Sequence, residues 1–149
     1  MSVTRREMCS LIAVLSAGVL RGNALGAPTS PGASLRSAVF PFEKLPVKVA
    51  DNKAEFRAIL KGKIATGESV EVHETTLPPG GAPHAPHRHE HSEMWLIREG
   101  TVEFTVNGIS QRAGPGSLAF AASNDEHGIK NAGETPAIYF VVAIGPGAA

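Results

Sequence analysis

Between Ser69 and Leu77 apolar and polar positions alternate: Val70 and Val72 point one way, Glu71, His73 and Thr75 the other. That period of two predicts a half-buried strand, with His73 on its polar side or on a pocket wall. Val102, Phe104 and Val106 alternate with Thr101, Glu103 and Thr105, and Asn107-Gly108 follows as a hairpin turn whose residues tolerate positive φ. Met94 to Ile97 is apolar on both faces, which predicts a strand covered on one side by the interior and on the other by a second sheet or a partner subunit. Glu93, Trp95 and Ile97 share one of its faces, Trp95 as core or as pocket wall. Gly114-Pro115-Gly116 marks a turn, and strands follow at Leu118 to Ala121, from His127 and at Ala137 to Ile144. Phe56, Ile59 and Leu60 have helical spacing, so Asn52 to Leu60 is either a short helical turn or a strand bending at Gly62. Prolines 41 and 46 make the apolar stretch 38–49 an edge strand or an extended arm. Eight or so short strands joined by turns predict an all-β protein, a double-sheet antiparallel barrel of the jelly-roll type.

Before this pattern begins, Arg5-Arg6 precedes a weakly apolar run from Cys9 to Leu20 and small residues around Ala24 to Ala27. These features predict a signal peptide over 1–26, exported to the periplasm or beyond the cell, with no stable membrane span after cleavage. The arginine pair suggests the twin-arginine route, although Glu7 and Cys9 depart from its pattern; the other reading is a helix folded onto the domain. A flexible leader or arm over 27–45 and a barrel domain over 46–145 complete the organisation. The chain has 149 residues, 42% of them hydrophobic, enough for one domain with one core. Its 14 basic and 14 acidic residues balance, and no basic stripe marks a nucleic-acid partner. Cys9 is the single cysteine, so a chain cleaved near Ala27 has neither disulfide nor thiol chemistry.

The chemistry is concentrated in Gly81 to Gly100. His87 and His89, one residue apart, project from the same face of an extended strand, and Glu93 follows after a gap where the chain can turn. Two imidazoles and a carboxylate form a set for Mn, Fe, Co, Ni, Cu or Zn that leaves coordination positions open. His127, the one histidine beyond this stretch, is the candidate fourth ligand. A histidine-rich loop binding metal loosely is the plainer reading. Candidate acid-base residues beside the ligands are His84, Glu90 and His91, with Asp125 and Glu126; each also reads as a solvated loop residue at the barrel mouth. His84 is set apart by Pro83 and Pro86, which stiffen the segment around it.

Gly81, five residues, His87-x-His89, three residues, Glu93, six residues and Gly100 has the spacing of the first cupin motif. The second motif is kept in spacing by Gly116, Ala122, Asn124, His127 and Asn131, with Ala122 in place of the usual proline and Asn124 in place of glycine. Asparagine tolerates the left-handed conformation that such a turn needs. The chain therefore resembles a small single-domain cupin. The resemblance implies a cupin-type double-stranded β-helix in which His87 and His89 lie on one strand, Glu93 on the next and His127 on a later one. It also implies Mn or Fe in preference to Zn, Ni or Cu, and a homodimer in which N-terminal arms pair.

Two classes of function follow. One is a metal-dependent enzyme acting on a small polar molecule, of dioxygenase, decarboxylase or isomerase type, hence an oxidoreductase, lyase or isomerase. The alternative is a non-catalytic exported module binding a metal, a sugar or a small organic acid. A metal-scavenging protein is a third reading, and the fold alone does not choose among them.

Overall fold

The computed structural model describes residues 34–149. The signal segment expected over 1–26, and most of the leader before the arm, lie outside the described residues.

Among the described residues, nine strands form two antiparallel sheets: β1 (Val47–Val49), β2 (Glu55–Lys63), β3 (Ser69–Leu77), β4 (Ser92–Glu99), β5 (Val102–Val106), β6 (Ile109–Ala113), β7 (Leu118–Ala121), β8 (His127–Asn131) and β9 (Ala137–Ile144). One sheet runs β1-β2-β3-β9-β4-β7 and the other β6-β5-β8. Alternate residues of the facing strands meet between them: Leu77, Tyr139, Val141, Trp95 and Ile97 from the larger sheet, Val102, Phe104 and Ile129 from the smaller. Along β9 buried and half-buried residues alternate without a break, the signature of a strand with a single core face.

Stretch 38–49 is an arm with one short 3-10 turn, Phe42–Lys44, and then edge strand β1 on β2. The stretch that read as helix or strand is strand β2. Its register slips between Ala58, opposite His73, and Leu60, opposite Val72. This β-bulge moves the following residues to the opposite face, which is why Phe56, Ile59 and Leu60 imitate a helical period. The polar side of β3 faces inward: Thr75 is buried opposite Tyr139 and His73 lies opposite Val141, while Val72 and Val142 pair on the outer side. Half-burial correctly described this strand, but a barrel with a cavity inverts the usual sense of polar and apolar faces. The outer side of β4 has no covering sheet among the described residues, and Leu96 is exposed there.

The smaller sheet is extended by an irregular segment. Gly80 N–H donates to Asn131 O, Asn131 N–H to Gly81 O, and His87 and His127 exchange both backbone hydrogen bonds, at 3.0 and 2.9 Å. The regular strand expected for His87 and His89 is thus a single isolated bridge. Pro83 and Pro86 have no N–H to donate, so a continuous ladder cannot form. Pro86 instead packs on Gly128, where a Cβ would lie 3.0 Å from its ring.

Candidate metal centre and its cavity

The bridge between His87 and His127 sets the two rings side by side, with centroids 4.8 Å apart. His89 follows two residues later, its ring 4.7 Å from that of His127. One nitrogen from each of His87, His89 and His127 lies within 4.8 Å of the others. Glu93, at the start of β4, brings Oε2 to 3.4 Å from both His89 Nε2 and His127 Nε2. The structure therefore brings His87, His89 and His127 into one cluster, with Glu93 beside His89 and His127. Asn124 adopts φ +66°, the left-handed conformation expected of it, and its N–H donates to His89 O at the turn before His127.

Hydrogen bonds set the tautomers. His127 Nδ1–H donates to Asp125 O at 2.9 Å, and His89 Nδ1–H to His91 O at 2.8 Å. In its neutral form each ring then directs a bare Nε2 lone pair at the Glu93 carboxylate, an acceptor facing an acceptor. Both Nε2 atoms, and His87 Nδ1, are buried without a hydrogen-bond partner. An arrangement of buried lone pairs around a carboxylate is unfavourable by itself and is relieved by a cation, so these residues fit a divalent metal. The imidazole of His87 is held below its ordinary pKa of 6.5, first by burial and then by the neighbouring imidazoles of His84, His127 and His89, with Glu93 opposing. It therefore favours the neutral form that a metal ligand needs.

His91 is half-buried, in contrast to the solvated loop position expected for it. Its ring stacks on His89 at 3.6 Å and its Nε2 lies 3.4 Å from Glu93 Oε1, so that His89, His91 and Glu93 form a second, overlapping trio. The remaining loop candidates differ. Glu126 pairs with Arg88 at 3.1 Å, Asp125 accepts from Asn107 Nδ2 at 2.8 Å, and Glu90 is exposed. His84 stands edge-on to His87, centroids 4.3 Å apart, at the rim of the adjoining cavity.

That cavity has a volume of about 280 Å³ and is lined by Glu93 and His127 on one side and by His73, Thr75, Trp95 and Tyr139 among others. Trp95 is both core and wall: it is buried, 4.6 Å from Phe104 and 5.3 Å from His127, ring to ring. Tyr139 had no signal in the sequence beyond its place in an apolar strand. Burial pushes its phenol well above the ordinary range, the Thr75 hydrogen bond opposing and the charge of Glu93 adding to the rise, so it is a neutral hydroxyl in the cavity. The inward polar stripe of β3 was the available signal for Thr75 and His73.

Residues 73–143 match the cupin domain family. An L-ectoine synthase from Bordetella petrii is 32% identical over 62 residues, 41% of this chain and 47% of that protein, so the match spans about half of its length. Among solved structures, an RmlC-like cupin from Shewanella frigidimarina superposes with a TM-score of 0.62 at 18% identity, over 74% of this chain and 94% of the other. A predicted oxalate decarboxylase from Thermotoga maritima superposes with a TM-score of 0.62 at 22% identity, over 72% and 99%. These likenesses agree with the two-sheet barrel: the chain contains a small cupin domain over residues 73–143.

Proposed function

We propose that this cupin is an exported, metal-dependent enzyme acting on a small polar molecule. One observation carries the reading: buried imidazole nitrogens without partners converge beside the Glu93 carboxylate, and a cavity adjoins them. His87, His89, His127 and Glu93 are the ligands in this reading, with Mn or Fe as the expected ion. Three neutral imidazoles and one carboxylate leave a divalent ion with net positive charge, so it would supply Lewis-acid chemistry toward substrate oxygens. The protein's own part is to exclude water with Trp95 and Val141, to offer the neutral Tyr139 hydroxyl as a hydrogen-bond partner, and to place the Glu93 carboxyl group beside the imidazoles. The cavity volume lies at the lower end of ligand pockets, which favours a small organic acid or polyol over a polymer. A relative described as a predicted oxalate decarboxylase and another as an ectoine synthase make lyase chemistry the first class to assay. Export and a homodimer belong to the same reading.

The test is elemental analysis of untagged protein followed by a screen of small organic acids with and without dioxygen. Close to one equivalent of Mn or Fe per chain, with turnover abolished by His127→Ala, is the expected result. A full metal site without turnover of any acid would favour the non-catalytic binding module.

A further inference from the structure

Outside the ligand cluster, the cavity has one more imidazole joined to a carboxylate. On the inward face of β3, His73 Nδ1–H donates to Glu71 Oε1 at 3.0 Å. Both groups are sheltered, His73 at 14% and Glu71 at 21% side-chain exposure. The ring rests on Phe56, centroids 4.3 Å apart, and lines the cavity; Nε2 is the nitrogen that Glu71 leaves unengaged. A carboxylate on one nitrogen fixes the tautomer and steadies the imidazolium that forms when the other takes a proton.

We propose that His73 is the acid-base group of this cavity and Glu71 its positioning residue. The inference rests on the metal-dependent reading and names the class of substrate: a small acid whose chemistry moves one proton at carbon or oxygen. In the step, His73 Nε2 accepts a proton from the substrate's C–H or O–H, leaving the electron pair on the substrate. The imidazolium is balanced by ionised Glu71, and the same proton is returned to the product. The charged and titratable groups around the pair are Lys61 of β2 and His91, both acting on the Glu71 carboxylate, and Glu55, His84, Glu93, His127 and Tyr139 on the cavity wall.

The test uses the full chain loaded with zinc as a diamagnetic ion and oxalate as the probe, followed through histidine side-chain nitrogen resonances. In the native protein His73 should carry its proton on Nδ1, and oxalate should shift its Nε2 resonance together with those of the ligand rings. Oxalate affinity should step with pH, and His73→Gln should remove that step and weaken oxalate about tenfold at unchanged zinc stoichiometry. Glu71→Gln should leave zinc in place and turn His73 into a tautomer mixture. An Nε2–H tautomer in the native protein, a His73 resonance unmoved by oxalate, or a His73→Gln variant with native affinity and pH step would overturn the proposal. Failure of the metal reading is separately visible as absence of zinc, and the His73 tautomer is still read in that case.

Discussion

The imidazoles of His89 and His91 lie 10° from parallel with their centroids 3.6 Å apart, and both reach the same carboxylate, Glu93. His91 O also accepts the hydrogen bond that sets the His89 tautomer. A backbone acceptor survives removal of the side chain, whereas the stacked ring and its contact to Glu93 do not. His91→Ala should therefore weaken metal binding about tenfold, the scale of groups that orient ligands. His89→Ala, which deletes a proposed ligand, should abolish stoichiometric metal. Competition with a chelator separates the two outcomes, and equal losses would place His91 among the ligands.

His87 gives a pH dependence of stability in the metal-free protein. Its folded pKa lies below the ordinary 6.5, so in that window the unfolded chain binds more protons than the folded one. Stability is then fully present above 6.5 and falls as pH drops through the lowered folded value. Urea midpoints measured between neutral and mildly acidic pH should decline, and His87→Gln should flatten the decline. Bound metal should hold the midpoint steady until protons displace it.

Gly100 closes the first motif at a place where no other residue fits. It has φ +76°, and a Cβ there would lie 2.6 Å from Pro136 O and 2.7 Å from Ala137 Cα. Both contacts are to backbone, so neither side can yield cheaply. Gly100→Ala should cost on the order of 3 kcal/mol from left-handed strain plus overpacking, measured by urea denaturation. Gly108→Ala makes the comparison, since it has a similar φ of +81° and nothing within 4 Å of a Cβ. It should cost roughly 1 kcal/mol.

Most strands and the histidine cluster were legible because their signals are local. The alternation in β5, the Asn107-Gly108 turn and the His87-x-His89 pair each lie within a few residues, and His127 was identifiable as the histidine left over. What stayed hidden depends on partners distant in the chain. The bulge in β2 is defined against β3, and it erased the period of two that would have named the strand. Whether the stripe of Glu71, His73 and Thr75 faces water or a cavity depends on β9 and β2 being beside it. The stacking of His91 on His89 goes with a bend at residues 90–91, just before β4, that composition does not reveal.

The proposed export is tested by fractionating the cells and recovering the protein from outside the cytoplasm. A basic head, an apolar run and small residues around Ala24 to Ala27 are what a signal peptidase needs. Intact-mass measurement of the exported protein should give a chain beginning near Ala27. Arg5→Lys with Arg6→Lys should block export if the twin-arginine route is used, and leave it intact if the general route is. Retention of Met1 in the exported protein would remove the signal reading.

The outer face of the larger sheet predicts self-association. Met94 lies opposite Phe120 and Leu96 opposite Leu118, and Leu96, Leu118 and Phe120 are 44%, 59% and 52% exposed. Across β9 the row continues through Phe140 and Val142. We propose that this contiguous apolar area is an interface, which a second copy presenting the same patch would bury isologously. Both faces of Met94 to Ile97 are then covered, as the unbroken apolar run requires. Phe120→Asp places two like charges near the centre of such an interface, where desolvation and repulsion act together. Light scattering should find a dimer for the native protein at micromolar concentration and a monomer for Phe120→Asp. Metal content should be unchanged, because Phe120 points away from the cavity. A native protein that stays monomeric at that concentration would mean the patch serves another surface.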